Sequence, residues 1–222
     1  MNAHAGRRAI GLALTLGFAP TLFIACQSVG EGEGEVQSGH LFARECWDDF
    51  YDLKPDFFAA DPFRDHQMSM RVQRGSDLIE VSDGLSIVIE DVEAVRGSMG
   101  SAVSVSLPRG VAPPGVPEGT LCAAAAGGCD SPVHIALYLL ESCHTQNTVL
   151  YATSGTITFN ELFSGDPNET EAAEKLTDAT FDIQVGDPRD FDPATGTIAN
   201  QSQITGRFTF FFQRGQPAQP FP

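Results

Sequence analysis

Ile204-Thr205-Gly206-Arg207-Phe208-Thr209-Phe210-Phe211-Phe212-Gln213 carries Phe208, Phe210 and Phe212 on one side of an extended chain and Arg207, Thr209 and Phe211 on the other. Side chains of a strand point alternately to opposite faces, so this period of two predicts a strand with one buried face. The same period returns at Met68, Met70 and Val72, at Leu85, Ile87 and Ile89, at Val103, Val105 and Leu107, and at Ala179, Phe181, Ile183 and Val185. Residues 133–140 are apolar on both faces, Val133, Ile135, Leu137 and Leu139 against His134, Ala136, Tyr138 and Leu140, which predicts a central strand. Thr148 to Thr153 and Gly155 to Phe163 read as two further strands divided by Ser154-Gly155.

Gly75 and Asp83-Gly84 read as turns between strands, and the proline-rich residues 108–119 as a loop. No helical period runs beyond about three turns. The segment from Leu41 to Asp65 interleaves Trp47, Phe50, Tyr51, Phe57, Phe58 and Phe63 with aspartates, and Pro55 and Pro62 interrupt any long helix there. The expectation is an all-β chain: an antiparallel β-sandwich of about eight to ten strands with an aromatic-rich N-terminal arm.

The chain opens differently. Residues 1–25 hold Arg7 and Arg8, no acidic side chain, and an apolar run from Ala9 to Ala25 broken only by small or neutral residues and Pro20. This is the layout of an export signal, a charged n-region followed by an apolar h-region, and it is too short and too broken for a spanning helix. Phe23-Ile24-Ala25-Cys26 closes it and resembles a bacterial lipobox. The resemblance implies a diacylglycerol on the Cys26 sulfur, cleavage before Cys26 and acylation of the new amino terminus. Several acyl chains at about 0.8 kcal/mol per buried methylene amount to a lasting membrane anchor. Gln27, rather than Asp, follows the lipid-bearing position, which by the same resemblance implies the outer membrane.

Residues 27–40, with Gly and Glu alternating through Gly30 to Glu35, read as a flexible, self-repelling tether. The expected organisation is a signal peptide at 1–25, the lipidated Cys26 and tether at 26–40, and one β-sandwich domain at 41–222 that includes a Pro-rich tail. Taken with the apolar strand ending in Ser142-Cys143, with Gly155-Thr156-Ile157-Thr158-Phe159 and with Gly206-Arg207-Phe208-Thr209-Phe210, this layout resembles proteobacterial lipoproteins of unassigned role. The resemblance implies architecture and address and carries no catalytic residue.

The whole chain has a formal charge of -16, and the basic leader makes the remainder more acidic still. That excludes nucleic acid as a favoured partner and suits cations and basic surfaces. Apart from Cys26 there are four cysteines, an even number, which in an exported chain reads as two disulfides with three possible connectivities. Cys122 and Cys129 bracket a short Ala/Gly loop that could close on itself, leaving Cys46 with Cys143; a metal site is the competing reading, though no two cysteines are spaced as zinc ligands are.

Motifs for catalysis are lacking: there is no Gly-x-Ser-x-Gly, His-Glu-x-x-His, phosphate loop or Cys-x-x-Cys in the sequence. His66, His134 and His144 are the candidate bases outside leader and tether, with His134 read as structural. The leading expectation is a non-enzymatic, membrane-anchored domain that binds an envelope protein or glycan or serves the envelope structurally. A second is a calcium-dependent binder of carbohydrate or protein, with oxygen donors in the acidic loops at Asp166, Asn168 and Glu169 and at Asp187, Asp190 and Asp192, or with Asp61, Asp65 and His66. A third is a hydrolase working through carboxylates.

Overall fold

The structure, a computed structural model, describes residues 32–64, 66–75, 81–113, 115–124, 128–144, 146 and 148–212. Twelve strands run through them: β1 (Gly32–Ala43), β2 (Trp47–Leu53), β3 (Phe57–Phe63), β4 (Gln67–Gln73), β5 (Asp83–Ile89), β6 (Ala102–Ser104), β7 (Val133–Leu139), β8 (Thr148–Glu161), β9 (Leu176–Gly186), β10 (Phe191–Asp192), β11 (Thr197–Ile198) and β12 (Ser202–Phe211). Two five-residue helices, α1 (Val92–Arg96) and α2 (Thr120–Ala124), lie in the connections. Asp91 caps α1 by accepting from the Ala94 amide at 3.0 Å.

One sheet holds ten strands in the order β2-β1-β12-β9-β8-β7-β5-β4-β3, with β6 added beside β8, and every strand-to-strand pairing in it is antiparallel. The sheet curls on itself. Lys54-Pro55-Asp56 take the chain directly from one edge strand, β2, to the other, β3, and so short a stretch spans no more than about 14 Å from Leu53 to Phe57. Phe58 of β3 accordingly stacks on Phe210 of β12 with ring centroids 5.8 Å apart. The facing halves of the curled sheet enclose a single core containing Met70, Ile87, Leu137, Leu150, Phe159, Ile183 and Phe208, all essentially without solvent contact. The all-β antiparallel architecture is thus as expected, and the two layers are halves of one continuous sheet.

β8 makes the bend. Its first residues, Thr148 to Tyr151, pair with β7, and from Tyr151 onward it pairs with β9, while β6 takes the side that β7 has left. The register slips between Ala152 and Ser154, and Gly155 follows at φ +122°. A Cβ there would lie 2.4 Å from the Asp182 carbonyl oxygen, so only glycine fits this bulge. Ser154-Gly155 is therefore a kink inside one 14-residue strand, where the sequence suggests a break between two.

Three other expectations are corrected. Residues 32–40, assigned to a flexible tether, form β1, hydrogen-bonded between β2 and β12. The physical reason lies across the strand: Gly32 pairs with Phe210 and Gly34 with Phe208, so the phenylalanine rings of β12 fill the inward positions that the glycines leave empty. A Cβ on Gly32 would stand 2.5 Å from that of Phe210. The aromatic arm of residues 41–65 is the end of β1 with the edge strands β2 and β3, and Pro62 is tolerated because β3 has a partner on one side only. Asp83-Gly84 opens β5 instead of turning a hairpin, with Gly84 packed so closely on Gln73 that a Cβ would sit 2.4 Å from that residue's own.

The outer face of β1, β12, β9 and β8 is a ladder of matched polar side chains. Arg207 Nε donates to Glu35 at 3.0 Å, Gln203 to Asp182 at 2.7 Å, Asn160 to Asp178 at 2.6 Å and Gln37 to Asp52 at 3.3 Å. Neighbouring strands thus supply a donor to one another's carboxylates by cross-strand pairing, with a charged donor at Glu35.

Candidate functional site

Cys46 is bonded to Cys143 and Cys122 to Cys129. The first bridge ties the β1–β2 turn to the turn after β7. Asp83 braces that same turn, its Oδ1 accepting from the amides of Glu141 and Ser142 at 3.1 Å each and its Oδ2 from the Ser142 hydroxyl. The Tyr51 ring is buried beside this group, and desolvation first, then the Asp83 charge, raise its phenol well above the ordinary value. The second bridge staples α2 to a satellite cluster of Leu107, Leu121 and Ile198, against which Val111 and Tyr151 pack. Cys26 and Asp65 lie outside the described residues, as does the Pro-rich tail from residue 213.

The acidic loops do not assemble the calcium sites considered above. Asp187 accepts from the Arg189 amide at 2.8 Å and holds the Arg189 guanidinium with both oxygens. Buried Asp190 faces Arg44 at 2.5 Å. Asp192 caps its own turn through the Ala194 amide at 2.8 Å and the Thr195 hydroxyl. Asp166, in a different loop, accepts from the Asn168 amide at 2.8 Å, and Glu169 accepts from the Ser164 hydroxyl at 2.6 Å. Each carboxylate serves local structure, and among the described residues no group of three or more His, Cys, Asp or Glu side chains is placed to hold a metal ion. Asp61 lies on the edge strand β3 opposite Ser69, where partial burial raises its carboxyl.

What the fold does bring together lies on either side of the β3–β4 turn. On one side an open cleft of about 520 Å³ gathers Arg64, His66, Glu93, Asp166 and Glu169, joining residues from two stretches that the sequence offers as separate candidates. On the other side a groove of about 400 Å³ is walled by Phe63, Val88, Val111, Ala136 and Tyr151 and ends on Glu90 and His134. A second pocket, lined by Arg109 and Asp130, which form an exposed ion pair, meets the groove at the same Glu90 and His134.

The polar end of the groove is built from three elements. His134, on β7, is buried, and its Nδ1 lies 2.9 Å from the Ser106 carbonyl oxygen. A carbonyl can only accept, so in the neutral ring Nδ1 carries the hydrogen and Nε2 presents a lone pair. Nε2 looks toward Glu90 Oε1 at 3.8 Å, beyond hydrogen-bond reach. Glu90, just past β5, is aimed by the Gln67 side chain of β4, which donates to its other oxygen, Oε2. Tyr151 of β8 completes the wall; burial, then the Asp187 charge, raise its phenol. With the ring neutral, two acceptors therefore face each other 3.8 Å apart at the end of an apolar trough.

No known protein family, curated protein or solved structure matches this chain. The site must be read from its own chemistry. His134 reads from the sequence as a structural histidine, and its bond to Ser106 is of that kind; its second nitrogen, Glu90 and Gln67 carry no sequence signal. His144 is exposed beside the Cys143 bridge, and among the described residues no hydrogen bond joins a histidine ring to a Ser, Thr or Cys side chain.

Proposed function

We propose that the chain is an exported bacterial lipoprotein, held in the cell envelope through lipid on Cys26, whose acidic β-domain acts by binding a partner without chemical turnover. The observation that carries the reading is the cysteine count. The four cysteines downstream of Cys26 close on one another in two disulfides, as suits an oxidising compartment, and Cys26 is the fifth, directly behind the stretch that reads as an export signal. The binding role is supported by a preformed groove with apolar walls and a few fixed polar atoms, which is how sites for small ligands are made.

The start of β1 at Gly32 leaves five residues, Gln27 to Glu31, between Cys26 and the sheet. Fully extended, the six steps from Cys26 to Gly32 reach about 21 Å, so a lipid on Cys26 would hold the domain near the headgroups. Intact mass of the membrane-fraction protein tests the proposal. The expected mass is that of an acylated chain lacking residues 1–25, absent from the Cys26→Ala variant; an unacylated chain free in the medium would overturn it.

A further inference from the structure

We propose that the groove ending on Glu90 and His134 binds a primary ammonium group carried on an apolar stem. This builds on the reading of a binding domain and is independent of the anchor. The two acceptors at its end, Nε2 of His134 and Oε1 of Glu90, stand 3.8 Å apart. One nitrogen donor at about 2.9 Å from each would sit between them, whereas a ligand acceptor there would face two lone pairs. Both acceptors are held from their far side: buried His134 through Nδ1 to Ser106, and half-exposed Glu90 through Oε2 to Gln67.

The charge of the ligand follows from that of the site. Glu90 is the carboxylate that lines the groove among the described residues, and a donor with positive charge makes the stronger, charge-assisted bond to it. Arg109, which lines the adjoining pocket, is engaged by Asp130. The chain as a whole, at -16, draws cations and repels anions. The stem follows from the walls: Phe63, Val88, Val111, Ala136 and Tyr151 offer apolar contact, and the aromatic rings among them also favour a cation at their faces. A primary ammonium supplies three rotatable donors, two of which the pair can take.

The same chemistry has two sources, a small free amine or the lysine side chain of a protein, and the test separates them. The purified full chain is titrated with phenethylammonium, with Nα-acetyl-lysine methylamide and with 3-phenylpropionate while backbone amide resonances are followed by NMR. The expected result is saturable shifts for phenethylammonium confined to Glu90, Val111, His134, Tyr151 and their neighbours, and none for the carboxylate. Glu90→Gln should weaken the binding by about tenfold or more, because the amide keeps an acceptor oxygen but loses the charge that strengthens its bond to an ammonium, and Glu33→Gln on the far face should leave it unchanged. If the lysine derivative binds as well as the free amine, a protein partner is the source; if it does not, a small amine is. Equal binding of the carboxylate, or the absence of saturable shifts with both amines, overturns the proposal. Because the sign of charge is compared on the native chain, that outcome does not depend on how the variants fold. An unacylated chain can still bind the amine, and an acylated one can fail to, so this proposal and the anchor stand or fall separately.

Discussion

The outer face of β1, β12, β9 and β8 and the groove at the end of β5 and β7 are both polar surfaces on one sheet, and they are finished in opposite ways. On the face, Glu35, Asp52, Asp178 and Asp182 each receive a donor from the strand alongside. In the groove, a carboxylate and a neutral imidazole are held by their far atoms, and among the described residues no side-chain donor is bonded to the near atoms, which stand 3.8 Å apart. A surface whose groups are matched internally offers little to a ligand, since any new bond must first break an old one. A pair of oriented, unmatched acceptors beside apolar walls offers both direction and contact area. The contrast points to recognition in the groove and to a structural role for the ladder.

The strand that joins the two regions gives the largest expected effect. β8 walls the groove with Tyr151 and carries the ladder with Asn160, and the bulge at Gly155 turns one into the other. Gly155→Val meets the Asp182 carbonyl and a left-handed φ together, so denaturant unfolding should show a loss of more than about 4 kcal/mol, or no folded protein. A near-neutral result would mean that the bulge does not separate the regions.

The disulfides come next. Chain entropy assigns about 4.7 kcal/mol to a bridge closing a loop as long as that of Cys46–Cys143, whose separation is 97 residues, and about 2.5 kcal/mol to Cys122–Cys129, separated by 7. Replacing each pair by serine and comparing urea midpoints should preserve that order. Loss of the shorter bridge should also weaken amine binding, because it holds the cluster against which Val111 and Tyr151 pack, whereas loss of the longer one should act on overall stability.

Tyr51 supplies a pH dependence. Its folded-state pKa is raised, so burial favours the neutral phenol, and its contribution is complete below the unfolded tyrosine value of about 10 and is lost as pH rises above it. Stability should therefore fall at about 1.4 kcal/mol per pH unit for this group above pH 10, and Tyr51→Phe should flatten the decline seen in thermal melts. The smallest effect belongs to the ladder: Arg207→Ala, at an exposed pair with Glu35, should change unfolding free energy by less than about 1 kcal/mol and leave amine binding untouched.

The period-two strands β4, β5, β7, β9 and β12 can be read from the chain because their own residues alternate or are apolar throughout. The start of β1 cannot, because its first inward positions, Gly32 and Gly34, are glycines and burial there is supplied by Phe210 and Phe208, some 175 residues away. The signal is there in paired form, Gly-x-Gly opposite Phe-x-Phe, but it exists only once the two strands are set side by side. β2 and β3 are obscured by the charges and prolines that keep edge strands from pairing further. The groove is hidden for a related reason: Gln67, Glu90, Val111, His134 and Tyr151 come from five separate stretches, and none of them is unusual in its own neighbourhood. Aspartate-rich loops draw attention to calcium, yet Arg44, Arg189 and local turns already claim those carboxylates.

The contrast between a matched face and an unmatched groove rests most directly on the hydrogen of His134. Nitrogen chemical shifts of its ring, measured on the 15N-labelled chain at a pH where the ring is neutral, identify the tautomer. A pyrrole-type Nδ1 and a pyridine-type Nε2 are predicted, leaving two acceptors at the end of the groove; a hydrogen on Nε2, donated toward Glu90, would show that the pair is already matched and would contradict the account.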